Sequence, residues 1–337
     1  MPSTKVTLDT VIREETNPEE ERLFTSLRAN SWDEFLGQAK IKRSLQIAIE
    51  AAKSRHESVD HTLFYGPPGL GKTTLSHLIS REMGTQLRTS SGTALTKSGD
   101  LAAILTNLDP GDVLFVDEIH RLPKPVEETL YTAMEDFALD IVIGKGPAAR
   151  TLRIDVPKFT LVGATTRFGL LAGPFRDRFG IIHRLDYYRP EELTPILTQG
   201  ATKLSISLDE ESALELSRRA RGTPRIGLKL LKRVRDYAQV HNLEITPELV
   251  RTALDYQAID TLGLDDNDRK YLLVLTEKYD GGPVGISTLA AALSEDIATI
   301  EEVIEPYLLQ QGLIKRTNQG RVASDSAFEH IKVKRTK

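Results

Sequence analysis

Gly66-Pro-Pro-Gly-Leu-Gly-Lys72-Thr73 fits the pattern G-x-x-x-x-G-K-[ST]. Glycines in such a loop let backbone N–H groups close around phosphate oxygens with no Cβ in the way, and a helix opening at Lys72 points its partial positive charge at the same phosphates. Lys72 is suited to neutralise β- and γ-phosphate charge, and Thr73 to offer its hydroxyl to Mg²⁺. Gly69, Gly71, Lys72, Thr73 and Thr74 are therefore the expected ATP contacts of the loop. Downstream, Val113-Leu-Phe-Val116 ends in Asp117-Glu118, which delivers two carboxylates to the end of a buried strand, where open α/β sheets bind ligands. Asp117 suits Mg²⁺, and Glu118 suits the orientation of an attacking water. A lone His at 120 reads as a solvated neighbour of that pair rather than as a base.

These residues need a scaffold, and the hydrophobic pattern describes one. Apolar residues recur at helical spacing over Ala39–Lys53, a short apolar strand runs through His61–Tyr65, and a helix follows Lys72. Further strands are expected at Gln86–Thr89, Val113–Val116, Phe159–Gly163 and Ile181–Leu185, with helices between most of them. This is the α/β rhythm of a parallel sheet covered on both faces. One stretch breaks the rhythm. Leu139, Ile141, Ile143 and then Leu152, Ile154, Val156 alternate with period two around Gly144-Lys-Gly-Pro147, which predicts a projecting β-hairpin at about 139–156. Beyond Arg189-Pro190 the pattern is helical to about Tyr256, and Ser217–Arg235 holds eight Lys or Arg with no acid, read mostly as a solvated face. Ile259–Asn267 reads as a loose linker. Three helices and a hairpin around Asn318-Gln-Gly320 then form a winged-helix pattern.

The chain has 337 residues, a net charge of −4 and no cysteine. The length suits two or three domains. The acidic balance confines any nucleic-acid contact to a local patch, and the missing thiols exclude disulfides and fit a reducing compartment. No apolar run approaches a membrane span, so a cytoplasmic protein without membrane contact is expected. From Leu313 to Lys337 there are seven Lys or Arg against two acids, a local excess that includes Lys315, Arg316 and Arg321.

The loop, Asp112 to His120, Phe159-Thr-Leu-Val-Gly-Ala-Thr-Thr-Arg167, Arg176-Asp-Arg-Phe-Gly180, Gly222-Thr-Pro-Arg-Ile226 and Gly285-Ile-Ser-Thr-Leu-Ala-Ala-Ala-Leu293 occur in order. Together they resemble the RuvB family of Holliday-junction branch-migration ATPases, over about Arg28 to Ala323. The resemblance implies a AAA+ P-loop domain at 27–188 after a tail at 1–26, a helical lid at 189–260 and a winged-helix domain at 261–337. It places Thr165 as the sensor that helps position water, with Thr166 competing. Arg178 resembles the arginine finger acting on a neighbour's ATP, with Arg176 competing. Arg225 resembles the lid arginine that reaches the γ-phosphate. Adenine contacts are implied for Leu27, Arg28 and Tyr188, although a tyrosine at a domain junction is as readily plain packing. Glu135, Asp136 and Phe137 match residues near a subunit interface and its ATP, against the simpler reading of a helix end. Arg316 and Arg321 match family arginines on the DNA backbone. The implied partners are duplex DNA at junctions, a RuvA-like protein on the hairpin, five further copies in a homohexamer, and a junction resolvase.

Some positions depart from the family pattern. Ile297 stands where Arg is usual, Thr93 where Pro is usual, and Ile226-Gly-Leu-Lys-Leu230 where Ala and Asn usually follow Ile. Two other readings compete: a clamp-loader or initiator switch on the same core, and a DNA-binding scaffold whose nucleotide site is structural. The hairpin and the complete motif order count against the first, and Glu118, Thr165 and Arg178 against the second.

Overall fold

The computed structural model describes residues 24–143 and 150–333. Most of the expected tail, the hairpin turn at 144–149 and residues 334–337 lie outside the described residues. Two compact units are present. One holds residues 26–192 with Thr223–Arg225, and the other Leu193–Gly222 with Ile226 onward.

In the first unit, β1 (Thr62–Tyr65), β2 (Leu87–Ser91), β3 (Val113–Asp117), β6 (Thr160–Thr165) and β7 (Ile181–Arg184) form a five-stranded sheet in the order β2-β3-β6-β1-β7. Every neighbouring pair is parallel. The strands β1, β3 and β6 read as continuous apolar runs because both faces are covered: Leu63, Phe64, Leu114, Val116, Leu161 and Val162 are all fully buried. Helices Ala39–Arg55, Lys72–Met83, Ser98–Leu105 and Lys124–Asp136 alternate with the strands.

The expected hairpin forms from β4 (Ala138–Ile143) and β5 (Arg150–Asp155), outside the main sheet, with Leu139 opposite Ile154 and Ile141 opposite Leu152. Its root is anchored in the core through Leu139 and Val156. Farther out, Leu152 is 48% exposed.

The second unit contains the lid helices and the winged helix. Asp209 caps the helix Glu210–Arg219 and Thr246 caps Pro247–Tyr256, each accepting an N–H bond from its helix's first turn. The departures at Gly227 and Leu228 have a packing reason. A Cβ on Gly227 would stand 2.8 Å from Leu197 Cδ2, and one on Gly200 would stand 2.4 Å from Leu228 Cδ2. Helices Pro190–Lys203 and Pro224–His241 thus approach closely, with Leu228 using the room over Gly200.

One expectation fails here and another meets two exceptions. The stretch from Ile259 is not a loose linker: Ile259, Leu264 and Asp265 are buried. In the basic stretch, read mostly as a solvated face, Arg219 and Arg221 are buried. One fact explains both. Arg219 Nη1 donates to the Ile259 carbonyl and to Asp255. Arg221 donates to the Gly263 carbonyl at 2.7 Å, to Asp265 at 3.0 Å and to Asp268 at 2.6 Å, with its guanidinium 5.0 Å from the Tyr307 ring centre. The two guanidiniums supply the donors that a buried irregular segment needs.

The winged helix follows as helices Asp266–Leu273 (continued by Val274–Lys278), Ile286–Leu293 and a segment from Ile297–Thr299 to Glu305–Gln310. Strands β8 (Ile314–Thr317) and β9 (Gly320–Ala323) and a last helix, Asp325–Ile331, complete it.

Removing one member of a buried ion cluster strands its partners. Arg221→Ala should therefore lower stability by about 3–5 kcal/mol in urea denaturation. Arg218→Ala, at a side chain 58% exposed, should stay within about 0.5 kcal/mol.

Candidate active site

Parallel strands end together, and the register fixes which residues meet. Tyr65 lies opposite Thr165, and Ser91 lies opposite Asp117. The Gly66 amide donates to the Thr165 carbonyl at 3.1 Å, so the phosphate loop leaves β1 while bonded to the tip of β6. Gly66, Gly69 and Gly71 all have positive φ, which a side chain would resist. The need is steric as well. A Cβ on Gly66 would stand 2.4 Å from the Leu185 carbonyl oxygen, and one on Gly69 2.7 Å from Thr223 Cγ2 and 2.9 Å from Arg225 Cβ. Arg225 therefore packs directly on the loop.

Lys72 is buried and donates to the Gly66 and Pro67 carbonyls at 2.8 Å each. Burial pushes its pKa down to about 8, while Asp117 and Glu118 work in the opposite direction. Next to it, Thr73 and Asp117 offer a hydroxyl and a carboxylate, oxygen donors that suit Mg²⁺. Among the described residues no group of three His, Asp or Glu could hold a metal alone.

Glu118 adopts a left-handed backbone conformation, φ 46°, directly after β3. Non-glycine residues seldom do so, and sites that need it tend to be functional. The Glu118 amide donates to Asp117 Oδ1 at 2.9 Å, and its carbonyl turns so close to Gly92 that a Cβ there would stand 2.3 Å away. The turn brings the Glu118 carboxylate to Thr166, whose hydroxyl donates to Oε2 at 3.2 Å. Burial and the neighbouring Asp117 raise the Glu118 pKa. Thr165 is different: it is fully buried, its hydroxyl accepts from the Arg167 amide at 2.9 Å, and it lies 2.9 Å from His120 Nδ1. Of the two competing threonines, Thr166 is the one on the carboxylate. The expectation for His120 is corrected: its side chain is only 5% exposed, and it reaches Glu118 as well as Thr165.

The remaining expected residues separate into groups. Tyr188 is buried, donates to the Leu70 carbonyl at 3.3 Å and covers Gly37, where a Cβ would stand 2.2 Å from its ring. Leu27 is buried, and Arg28 bonds His77 on the helix that follows the loop. Arg178 donates to the Tyr131 hydroxyl, pairs with Glu135 at 3.0 Å and lies 4.6 Å from the Tyr131 ring centre. Arg176 instead stacks on Phe168 at 5.0 Å. Asp136 pairs with Arg153 of the hairpin at 2.9 Å, and Phe137 lies 6.1 Å from Phe159, edge to face. Glu135, Asp136 and Phe137 thus each have a partner within this chain. Tyr131 was not anticipated, although it stands four residues before Glu135 on one helix face, a spacing at which side chains meet.

On the wing, Arg316 stands opposite Arg321 and both converge on the fully buried Glu305, at 2.6 and 2.9 Å. Arg321 also pairs with Glu301 at 2.7 Å and is 13% exposed, whereas Arg316 keeps 43% of its side-chain surface. Glu305 is held from inside by the Tyr271 hydroxyl at 2.9 Å.

Fold and site together define a AAA+ type P-loop ATPase with a lid and a winged helix. Residues 27–185 match the family described as the Holliday junction DNA helicase RuvB P-loop domain, residues 188–260 the RuvB AAA lid domain, and residues 261–332 the RuvB C-terminal winged helix domain. The Holliday junction branch migration complex subunit RuvB of Chloroflexus aggregans is 53% identical over 322 residues, 95% of this chain and 92% of the relative. The Thermotoga maritima RuvB Holliday junction branch migration motor superposes with a TM-score of 0.83 at 48% identity, over 92% of this chain and 99% of that one. A point variant of the same protein gives a TM-score of 0.84 at 48% identity, over 91% of this chain and 99% of that one. The chain belongs to the RuvB family.

The two threonines should separate by experiment. Thr166→Val should lower ATP turnover with nucleotide binding retained. Thr165→Val should lower the melting temperature, because the buried Thr165 hydroxyl bonds both the Arg167 amide and His120, a loss of about 1 kcal/mol.

Proposed function

We propose that this chain is the ATP-driven subunit of a motor that moves Holliday junctions, working as a homohexameric ring on duplex DNA with a RuvA-like junction-binding partner. The observation that carries the reading is the Glu118 carboxylate, turned out of β3 and bonded by Thr166 beside the buried Lys72.

In this reading the loop amides from Gly66 to Thr73 and the Lys72 ammonium hold the β- and γ-phosphates. Thr73 and Asp117 would hold magnesium, which supplies charge neutralisation on those phosphates when bound. Glu118 orients the water and takes up its proton, a task for which a raised carboxylate pKa is suited. Arg225, packed on Gly69, senses the γ-phosphate end of the loop. Arg178 completes the site of an adjacent copy. Its tether to Tyr131 and Glu135 presents it with 36% of the side chain exposed, which fits a group that stabilises transition-state charge in trans. The hairpin offers Leu152 to the junction-binding partner.

The wing meets the DNA backbone without reading sequence, as travel along any duplex requires. Arg316 is the family-matching arginine that keeps outward surface for this, while Arg321 supports the wing from inside.

Glu118→Gln should bind ATP normally and hydrolyse it at least about a hundredfold more slowly; normal turnover in that variant would remove Glu118 from the chemistry. Neither Arg178→Ala nor Lys72→Ala should hydrolyse ATP alone, and mixing them should restore turnover in a steady-state assay. Arg316→Ala should weaken duplex binding and reduce the slope of log K against log salt by about 1. Arg321→Ala should instead lower the melting temperature.

A further inference from the structure

His120 belongs to none of the roles above, yet it joins two of them. Its ring is almost fully enclosed, and a single atom, Nδ1, lies 2.9 Å from Thr165 Oγ1 and 3.2 Å from Glu118 Oε2. Thr165 Oγ1 in turn accepts the Arg167 amide at 2.9 Å, and Glu118 Oε2 accepts the Thr166 hydroxyl at 3.2 Å. A chain of contacts therefore links the tip of β3 to the tip of β6. Its members are consecutive on one strand end (Thr165, Thr166, Arg167) and straddle the turn on the other (Glu118, His120).

We infer that His120 is a positioning residue for hydrolysis: through Nδ1 it fixes the Glu118 carboxylate against the Thr165–Thr166 strand end, so that the carboxylate meets the water in one orientation. This rests on the reading of Glu118 as the water-orienting group.

The geometry supports the role in three ways. Both contacts to the carboxylate fall on Oε2, so Oε1 is the oxygen that can address a water. Enclosure removes competing water from the ring, whose Nδ1 hydrogen-bonds Thr165 Oγ1 and stands 3.2 Å from the Glu118 carboxylate. Burial, with Arg121 and Arg167 adding to it, holds the His120 pKa below its ordinary value. A neutral ring does not cancel the charge of the carboxylate beside it.

The test compares His120→Ala, His120→Asn and His120→Leu in steady-state ATP hydrolysis, each also in a Glu118→Gln background. Asn can return a donor near the Nδ1 position, whereas Leu fills volume without one. With His120→Ala, kcat should fall about 10-fold or more, while KM for ATP changes by less than about twofold. His120→Asn should recover most of the loss and His120→Leu none of it. In the Glu118→Gln background, His120→Ala should cost less than about another twofold, because a residue acting through Glu118 has nothing left to position.

A kcat within about twofold of the parent in His120→Ala, equal rates for Asn and Leu, or a full multiplicative loss in the double variant would each overturn the assignment. Should His120→Ala fail to fold by thermal melting, the Asn-against-Leu comparison decides by itself. Loss in Glu118→Gln together with an unchanged His120→Ala would sink only the role of His120. Normal turnover in Glu118→Gln would remove the reading of Glu118 and the role of His120 with it.

Discussion

Tyr65 and Thr165 end neighbouring parallel strands in register, Asp117 ends the next strand within one residue of that level, and the hydrogen bond from the Gly66 amide to the Thr165 carbonyl holds the phosphate loop there. Everything chemical in the first unit depends on this edge. In a parallel sheet the strand order decides which tips are neighbours, and β6 sits between β1 and β3. The loop lysine, the paired carboxylates and the threonines, which lie far apart in sequence, therefore meet without any long loop having to carry them. The fully buried strands give the edge its rigidity, and the glycines give it room.

The second unit depends on a different kind of order. Its chain from Arg219 to Asp268 includes irregular backbone that the apolar core alone could not bury, since carbonyls without donors are costly inside a protein. Two guanidiniums solve this by taking carbonyls and carboxylates together. Arg suits the role because its donors form a fixed planar fork and its charge persists when buried. Glu305 is the mirror case, an anion that a tyrosine and two arginines satisfy from different sides.

Much of this was legible in the sequence where the signal is local or periodic. The loop and the Asp117-Glu118 pair are contiguous, the hairpin alternates with period two, and the winged helix shows its three helices and a turn. The failures share a cause. Arg221 finds its carboxylates 44 and 47 residues away, and His120 meets Thr165 across 45. Nothing in the local pattern of either residue carries that information, so Arg221 read as surface charge and His120 as solvated. Thr165 and Thr166 could not be separated either, because adjacent residues on a strand point to opposite sides and only the partner's position says which side matters. The family resemblance supplied roles for Arg178, Arg225 and Tyr188, but not the tethers that aim them.

Glu305 has one more implication. Counting basic residues on the wing suggests a strong pull on a polyanion, yet a guanidinium bonded to a carboxylate presents a dipole to a distant charge rather than a monopole, and the field of a dipole fades faster with separation. An approaching duplex would feel Lys315 first, and Arg316 only at close range. The wing would then discriminate against non-intimate, long-range capture and favour a snug fit, a useful bias for a protein that has to let go of each phosphate as readily as it takes hold.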